Sequence, residues 1–153
     1  MKILLLAVGK MRSAPLAEVC GDYLKRLQRF GPVELKEVKS SSRSEVRAAA
    51  EEECERLENA LESSDKLVVL DERGTQISSV QLSEWLARYE RENAKRLVVA
   101  LGGAYGLTEA FKARGTLLGL SKMTLPHELC RAVVLEQLYR ARTIQNHLPY
   151  HHA

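Results

Sequence analysis

A strand that runs directly into a glycine-rich turn is the feature that most limits how this chain can fold. The apolar run from Leu97 to Leu101 is followed by Gly-Gly-Ala-Tyr-Gly-Leu at positions 102–107, and a helix start follows at Thr108. Glycine has no Cβ and tolerates positive φ, so its backbone can approach a small molecule closely. Because ligands of open α/β sheets bind at the carboxyl ends of strands, we predict a ligand site at this turn.

The spacing of the glycines excludes two familiar phosphate-binding motifs. It matches neither the dinucleotide fingerprint G-x-G-x-x-G nor the phosphate loop G-x-x-x-x-G-K-[ST]. Asp71, at the end of the third predicted strand, would suit a phospho-accepting receiver domain. Such a domain also requires acidic residues after its first strand, where this chain has Gly9 and Lys10. We therefore expect the glycine turn to hold a part of a ligand other than a phosphate.

The alternation of strand and helix patterns predicts an α/β fold. Apolar runs predict strands at residues 2–8, 33–38, 66–70, 96–101 and 116–120, with helices between them and a last helix from Pro126 to about residue 142. Ser42 with Glu45 and Ser78 with Gln81 have capping-box spacing. Short connections predict a mostly parallel sheet with helices on both faces. The polar alternation of the second strand favours a position near an edge.

Length and composition fit a single domain covering residues 1–153. The apolar run from Ile3 to Val8 is far shorter than the ~20 residues that span a bilayer, and no cleavage-type signal follows it, so we expect a cytoplasmic protein with no membrane contact. The cysteines, Cys20, Cys54 and Cys130, are far apart and lack C-x-x-C spacing. They favour neither a disulfide framework nor a zinc site.

Positive charge is concentrated in the last third of the chain. Residues 1–94 contain 15 basic and 17 acidic residues, whereas residues 95–153 contain 8 basic and 3 acidic residues. This asymmetry favours an anionic partner for the C-terminal part, either RNA or a negatively charged metabolite. A chance imbalance of surface charge explains the same numbers.

A second loop is predicted at the same edge of the sheet, between the fifth strand and the last helix. It has the sequence Leu-Ser-Lys-Met-Thr-Leu-Pro-His at positions 120–127. Backbone groups of Met123 and Leu125 are suited to an adenine edge, with apolar side chains on either side of the ring. The alternative is that Met123 and Leu125 are core residues.

The C-terminal segment combines several groups that exchange protons. Tyr150, His151 and His152 follow His147 closely, which is consistent with an active-site tail or with a solvated end. We expect no metal, because a fourth ligand and helical i,i+4 spacing are lacking. Arg140 and Arg142 lead into this tail and suit RNA phosphates.

Several motifs together resemble one family over nearly the whole chain, the RlmH-type (YbeA-type) methyltransferases of the SPOUT class. The resemblance rests on Leu-Ala-Val-Gly-Lys at 6–10, Leu70 with Asp71, the glycines at 102, 103 and 106, Ser-Lys-Met-Thr-Leu-Pro-His at 121–127, Glu-Gln-Leu-Tyr-Arg-Ala at 136–141, and Tyr150 with His151.

The resemblance implies a trefoil-knotted C-terminal region and a homodimer whose active site takes residues from both subunits. It implies S-adenosylmethionine as the methyl donor and, as target, N3 of a pseudouridine in 23S ribosomal RNA of the large subunit, within the assembled 70S ribosome. The implied cofactor contacts are Leu70, Gly102, Gly103, Leu120, Ser121, Lys122, Met123, Thr124 and Leu125.

The same resemblance, together with charge and position, suggests catalytic roles for the tail. His151 is the candidate base for the N3 proton, and Tyr150 is expected to stack on or hydrogen-bond the target base. Arg140 and Arg142 are expected to stabilise the resulting anion or to hold flanking phosphates. The chain departs from the family at Ala104-Tyr105 and at His152, where a basic residue is usual.

Two other classes of function remain consistent with the residues alone. A metabolite-binding α/β enzyme that uses the same crevice explains the glycine turn but gives the basic tail no role. A non-catalytic RNA-binding dimer explains the tail but not the two loops at one edge of the sheet.

Overall fold

The computed structural model describes residues 1–152 and has five strands and five α-helices. The elements, in chain order, are β1 (Lys2–Val8), α1 (Ala14–Leu27), β2 (Val33–Val38), α2 (Val46–Glu58), β3 (Lys66–Gln76), α3 (Ser79–Arg91), β4 (Arg96–Leu101), α4 (Glu109–Lys112), β5 (Thr116–Gly119) and α5 (His127–Gln145), with a 3-10 turn, Gln28–Phe30, after α1. Of the helices in this part of the chain, none is long and apolar enough to cross a membrane.

All neighbouring strands of the sheet are parallel, in the order β2-β1-β4-β3-β5. The predicted α/β class is confirmed, and β2 lies at an edge as its polar alternation predicted. The carboxyl ends of parallel strands meet at one edge, so the loops that follow β1, β4, β3 and β5 are brought to the same side of the molecule.

Two apolar cores cover the two faces of the sheet. Alternate residues of β1 divide between them: Ile3 and Leu5 face a core that includes side chains of α1, α3 and α5, whereas Leu4 and Leu6 face a core with α2 and α4. This follows from the two-residue period of a strand. Helix α5 packs against both α1 and α3, which places the end of the chain over the first of these cores.

Local signals predict some element boundaries and miss others. Ser78 and Gln81 form the predicted capping box at the start of α3. The capping box predicted for Ser42 and Glu45 is wrong, because the Glu45 side chain itself caps α2 by accepting hydrogen bonds from the N–H groups of Arg47 and Ala48.

Strand β3 is longer than the sequence predicted. The apolar run predicts a strand that ends at residue 70, but the strand continues through Glu-Arg-Gly-Thr at 72–75 to Gln76. Its pairing with β5 is interrupted, because Leu70 and Thr75 both lie opposite Leu118. Residues 71–74 therefore form a large bulge at the carboxyl edge of the sheet.

Candidate functional site

The glycine turn after β4 is built so tightly that side chains do not fit at its first two positions. A Cβ on Gly102 would lie 2.9 Å from Cγ of Leu107, and one on Gly103 would lie 2.9 Å from Cγ1 of Val8. The N–H of Gly106 donates to the carbonyl of Gly103 at 3.1 Å, and Gly106 has a φ of +74°. Glycine is required at these positions, and bare backbone faces the space above β4.

A cavity of about 590 Å³ opens at this turn, between the loops that follow β3, β4 and β5. The two loops that the sequence predicted to meet do lie together. Eight of the nine predicted cofactor contacts line the cavity, while the exposed Lys122 does not. The eight are Leu70, Gly102, Gly103, Leu120, Ser121, Met123, Thr124 and Leu125.

The loop after β5 is held by short polar contacts. The Ser121 hydroxyl accepts a hydrogen bond from the N–H of Met123 at 2.9 Å, and the Thr124 hydroxyl donates to a Glu72 carboxylate oxygen at 3.3 Å. The Met123 side chain lines the cavity while remaining 76% exposed. The alternative interpretation of Met123 as a core residue is therefore wrong.

The bulge of β3 adds a charged wall that the sequence analysis missed. Asp71 and Arg73 line the cavity together with Lys112 from α4. Gly74 makes the bulge possible, because a Cβ there would lie 2.5 Å from the carbonyl carbon of Leu118. The only sequence signal was Asp71 at the end of a strand, and its partner Lys112 is 41 residues further along the chain.

Asp71 is a nearly buried carboxylate with cationic partners. Its side chain is 8% exposed, and its oxygens lie 2.5 Å from Nζ of Lys112 and 3.2 Å from Nε of Arg73. Burial alone would raise the pKa of Asp71, but hydrogen bonds from Lys112 and Arg73 outweigh it and lower that pKa to about 2. Asp71 is therefore ionised at neutral pH and ties the bulge to α4.

The C-terminal tail folds back onto α5 and α1. The Tyr150 hydroxyl donates to a Glu136 carboxylate oxygen at 3.1 Å and lies 3.2 Å from the Tyr23 hydroxyl. The Arg140 guanidinium binds Glu136 and lies 4.7 Å from the centre of the Tyr150 ring. Burial, followed by the hydrogen bond with Tyr23, raises the pKa of Tyr150. Its hydroxyl therefore remains protonated at neutral pH.

The structure brings together three of the four predicted catalytic residues. Nδ1 of His151 lies 3.5 Å from a guanidinium nitrogen of Arg140, beside Tyr150. Arg142 is different, because its 7% exposed side chain binds Glu90 at 2.7 Å and Gln145 at 2.9 Å. Residues two apart on a helix face different directions, so helical spacing alone separates Arg140 from Arg142.

Within one chain the tail does not reach the cavity. None of Arg140, Tyr150 and His151 is among the residues that line it, and their contacts are with α1 and α5 instead. The tail is thus an ordered cluster of a tyrosine, a histidine and an arginine, with His151 partly exposed at its edge.

Glycine backbone at the carboxyl ends of parallel strands, with a cavity between three loops, is typical of α/β proteins that bind a small molecule in that crevice. Comparison with known proteins specifies the class further. The family model for predicted SPOUT methyltransferases matches residues 1–151. The chain belongs to this family of methyltransferases, which implies the trefoil knot.

Relatives of similar length agree with this assignment. Proteins named ribosomal RNA large subunit methyltransferase H are 41% identical in Pelobacter propionicus (99% of this chain, 100% of the relative), 38% in Geobacter metallireducens (100% of both) and 40% in Parabacteroides distasonis (99% of both). Because these relatives are enzymes by name, the interpretation as a non-catalytic RNA-binding dimer is not supported.

Solved structures share the fold at low sequence identity. A probable methyltransferase from Bordetella pertussis superposes with a TM-score of 0.56 at 17% identity, over 92% of this chain and 94% of that one. A probable methylase family protein from Haemophilus influenzae gives the same TM-score at 16% identity, over 95% of this chain and 66% of that one. These likenesses concern the fold alone.

Proposed function

We propose that this protein transfers a methyl group from S-adenosylmethionine to N3 of a pseudouridine in 23S ribosomal RNA, within the assembled 70S ribosome. The names of the relatives support an RNA substrate in the large ribosomal subunit. The family resemblance supports the nucleotide, the position and a cytoplasmic homodimer. The observation that carries the proposal is the cavity at the glycine turn, whose volume and largely apolar walls support binding of a small-molecule cofactor.

The residues around the cavity fit S-adenosylmethionine. A volume of about 590 Å³ lies within the range of roughly 300–1,000 Å³ typical of small-molecule sites. Leu70, Leu120 and Leu125 provide apolar walls for a flat ring, and the backbone of Gly102 and Gly103 provides polar groups without side-chain obstruction. When bound, this cofactor supplies a methyl group on a sulfonium, which is already an activated leaving group.

The protein must therefore align the acceptor and remove one proton. Alignment is the larger task, because it converts an encounter into an intramolecular step. N3–H of a pseudouridine is a weak acid, and His151 is the proposed base. The raised pKa of Tyr150 makes it unsuited to that role, so Tyr150 is assigned to holding the tail and contacting the target base. The guanidinium of Arg140 favours the developing anion.

The geometry supports a site shared between two subunits. Tyr150 and His151 are held against α1 and α5 of their own chain, away from the cavity of that chain. If they act on a substrate beside the cofactor, a second chain must place its tail at the cavity of the first. Arg142, which binds Glu90 within its own chain, is left out of the catalytic group and is assigned to joining α5 to α3.

The test is a methylation assay with three acceptors. The protein and labelled S-adenosylmethionine are incubated with whole ribosomes, with separated subunits and with naked RNA, and the digested RNA is analysed by mass. Methylated pseudouridine formed only with whole ribosomes is the expected result. Binding of S-adenosylmethionine without label in any RNA would overturn the RNA substrate and favour a small-molecule acceptor.

A matched pair of glycine variants tests the cavity itself. Gly103→Val adds a Cβ 2.9 Å from Val8 and 3.2 Å from Glu53, so we expect a loss of S-adenosylmethionine affinity of about 100-fold, as overpacking displaces the turn. Gly21→Ala is the control, because a Cβ there meets nothing within 4 Å. Equal affinity of both variants, measured by calorimetry, would contradict the assignment.

A further inference from the structure

The loop between β1 and α1, residues 9–13, is fixed through its backbone by carboxylates. The N–H of Met11 donates to Glu37 at 2.8 Å, and the N–H groups of Arg12 and Ser13 donate to the two oxygens of Glu128 at 3.0 Å each. These bonds lower the pKa of Glu128. The loop therefore has a defined shape that does not depend on the side chains of Lys10 and Arg12.

A buried arginine completes this arrangement. Arg131 is fully buried and lies one turn after Glu128 on α5. Its guanidinium donates to the carbonyls of Val8 and Gly9 at 2.7 and 2.9 Å and binds Glu37 at 2.8 Å. Both carboxylates near the loop are thus occupied, Glu37 by an internal arginine and Glu128 by backbone.

Three cations in the loops that follow β1 and β2 form no ion pair with a carboxylate among residues 1–152. Lys10 and Arg12 lie in the loop after β1, and Lys39 lies directly after β2. All three are exposed. The two loops touch, since the N–H of Gly9 donates to the carbonyl of Val38 at 2.8 Å. We call Lys10, Arg12 and Lys39 the basic rim.

Several basic residues at the amino edge of the sheet are paired with carboxylates. Lys2 contacts Glu34, Lys66 contacts Glu92, Arg96 contacts Asp65, and Arg114 contacts Glu58. Lys95, directly before β4, is exposed and forms no such ion pair. The basic rim is therefore distinguished by its place at the carboxyl edge of the sheet, and not by its lack of acidic partners.

The loop that carries Lys10 and Arg12 contacts elements that line the cavity. Val8, the last residue of β1, lies against Gly103 of the glycine turn, and Glu128, which binds the backbone of the loop, follows directly after Pro126 and His127, which line the cavity. The basic rim therefore lies on the same edge of the sheet as the cavity, where it is available to the backbone that flanks a base in the cavity.

We propose that the basic rim binds phosphates of the RNA that flank the target nucleotide. The inference rests on the proposed function and adds the surface that orients the substrate. Lysine and arginine on a backbone-fixed loop suit phosphate oxygens, which position a nucleic acid without reading its sequence. The nearby carboxylates are already satisfied, so they do not compete for the cations.

The test compares two triple variants of equal composition. Lys10→Ala, Arg12→Ala and Lys39→Ala remove the basic rim, while Lys25→Ala, Arg91→Ala and Lys95→Ala remove three exposed cations that precede β2 and β4, at the opposite edge. Equilibrium binding to ribosomes and to deproteinised 23S RNA is measured over a range of salt concentrations, alongside methylation and S-adenosylmethionine affinity.

The basic-rim variant should bind ribosomes about tenfold to 100-fold more weakly than the wild type near 0.1 M salt. The slope of log K against log salt should be smaller in magnitude by about 2, since each of three lost phosphate contacts contributes about 0.7–0.9 to the slope. Its cofactor affinity and melting temperature should equal those of the wild type. The control variant should show less than about a third of the slope change.

Equal binding of the two triple variants would overturn the proposal while leaving the methylation result of the wild type intact. Because the proposed substrate is the assembled ribosome, a loss of affinity and of salt dependence on whole ribosomes supports the proposal even where deproteinised RNA is bound weakly by every variant. Wild-type protein that binds RNA through the basic rim without methylating it would refute the proposed function alone. Wild-type protein that binds neither ribosomes nor deproteinised RNA would refute both the proposed function and the role of the basic rim.

Discussion

The glycine turn and the C-terminal tail are built in opposite ways. The turn uses backbone, has no room for a side chain at Gly102 or Gly103, and forms its cavity with loops of the same chain. The tail uses side chains, held by Tyr23 and Glu136, and lies apart from that cavity. Under the proposed function, one subunit forms the cofactor cavity, whereas the reaction requires a tail from a second subunit.

The largest effect is expected for the proposed base. His151→Ala should reduce the turnover number by about 10²- to 10⁴-fold, because general base catalysis is lost. S-adenosylmethionine affinity should stay within about twofold, because His151 does not line the cavity. Wild-type turnover of this variant in a single-turnover methylation assay would remove His151 from the mechanism.

Mixing two inactive variants tests whether the tail and the cavity come from different chains. Gly103→Val has an intact tail, and His151→Ala has an intact cavity. If subunits exchange at random in a homodimer, about a quarter of all sites combine both intact parts, so about a quarter of wild-type activity should return. Activity that stays at the level of the separate variants would show that each site is formed within one chain.

The contribution of the cavity wall to the free energy of unfolding should depend on pH in the acid range, whereas that of the tail should not. Because the pKa of Asp71 is lowered from 3.8 to about 2 in the folded protein, its stabilising effect is present above about pH 4 and is lost as pH falls towards 2. Asp71→Asn should lower the free energy of unfolding by about 2 kcal/mol at pH 7 and by much less near pH 2.

Urea unfolding at several pH values measures this difference. Asp22→Asn is the control, because Asp22 is in an exposed ion pair with Arg26, for which a small effect is expected at every pH. A constant difference between Asp71→Asn and the wild type from pH 7 to pH 2 would refute the electrostatic explanation.

Substitutions of the two arginines near the tail should have different effects, one on turnover and the other on stability. Arg140→Met should reduce turnover by at least about tenfold, because a cation beside the reacting base is removed. Arg142→Met should leave turnover unchanged and should lower the free energy of unfolding by about 1 kcal/mol, since its bonds to Glu90 and Gln145 are lost. Turnover that falls equally in both variants would return Arg142 to the catalytic group.

The smallest effect is expected for the tyrosine hydroxyl. Tyr150→Phe removes the bonds to Glu136 and Tyr23, worth about 1 kcal/mol, and should reduce turnover about fivefold by loosening the tail. Since the pKa of Tyr150 is raised above its ordinary value, the variant should keep the pH profile of the wild type up to pH 9. A profile that changes shape would assign the proton transfer to Tyr150.

Most of the fold was predictable because its signals are local. Continuous apolar runs gave five strands, and helical spacing gave the helices between them. The continuation of β3 to Gln76 was not predictable, because Glu72, Arg73 and Gly74 have turn chemistry and only the pairing of Thr75 and Gln76 with β5 makes this segment a strand. Glu45 was missed as a cap because glutamate is not a usual residue at that position.

The site was predictable where it follows strand ends and unpredictable where it depends on distant pairing. Gly102, Gly103 and the loop after β5 were found because the carboxyl edge of a parallel sheet collects such loops. Lys112 was missed because its ion pair with Asp71 joins α4 to the β3 bulge. Equally, nothing local indicates that the acidic partners of the β1–α1 loop come from β2 and α5.

The contacts of α5 with that loop also bear on how the protein folds. Glu128 and Arg131 hold residues that precede them by 116 and 123 positions. Contacts of such long separation require closure of nearly the whole chain and are associated with slow folding. The first strand and its loop thus reach their final state only after α5 has been synthesised, so the basic rim forms late in the folding of residues 1–152.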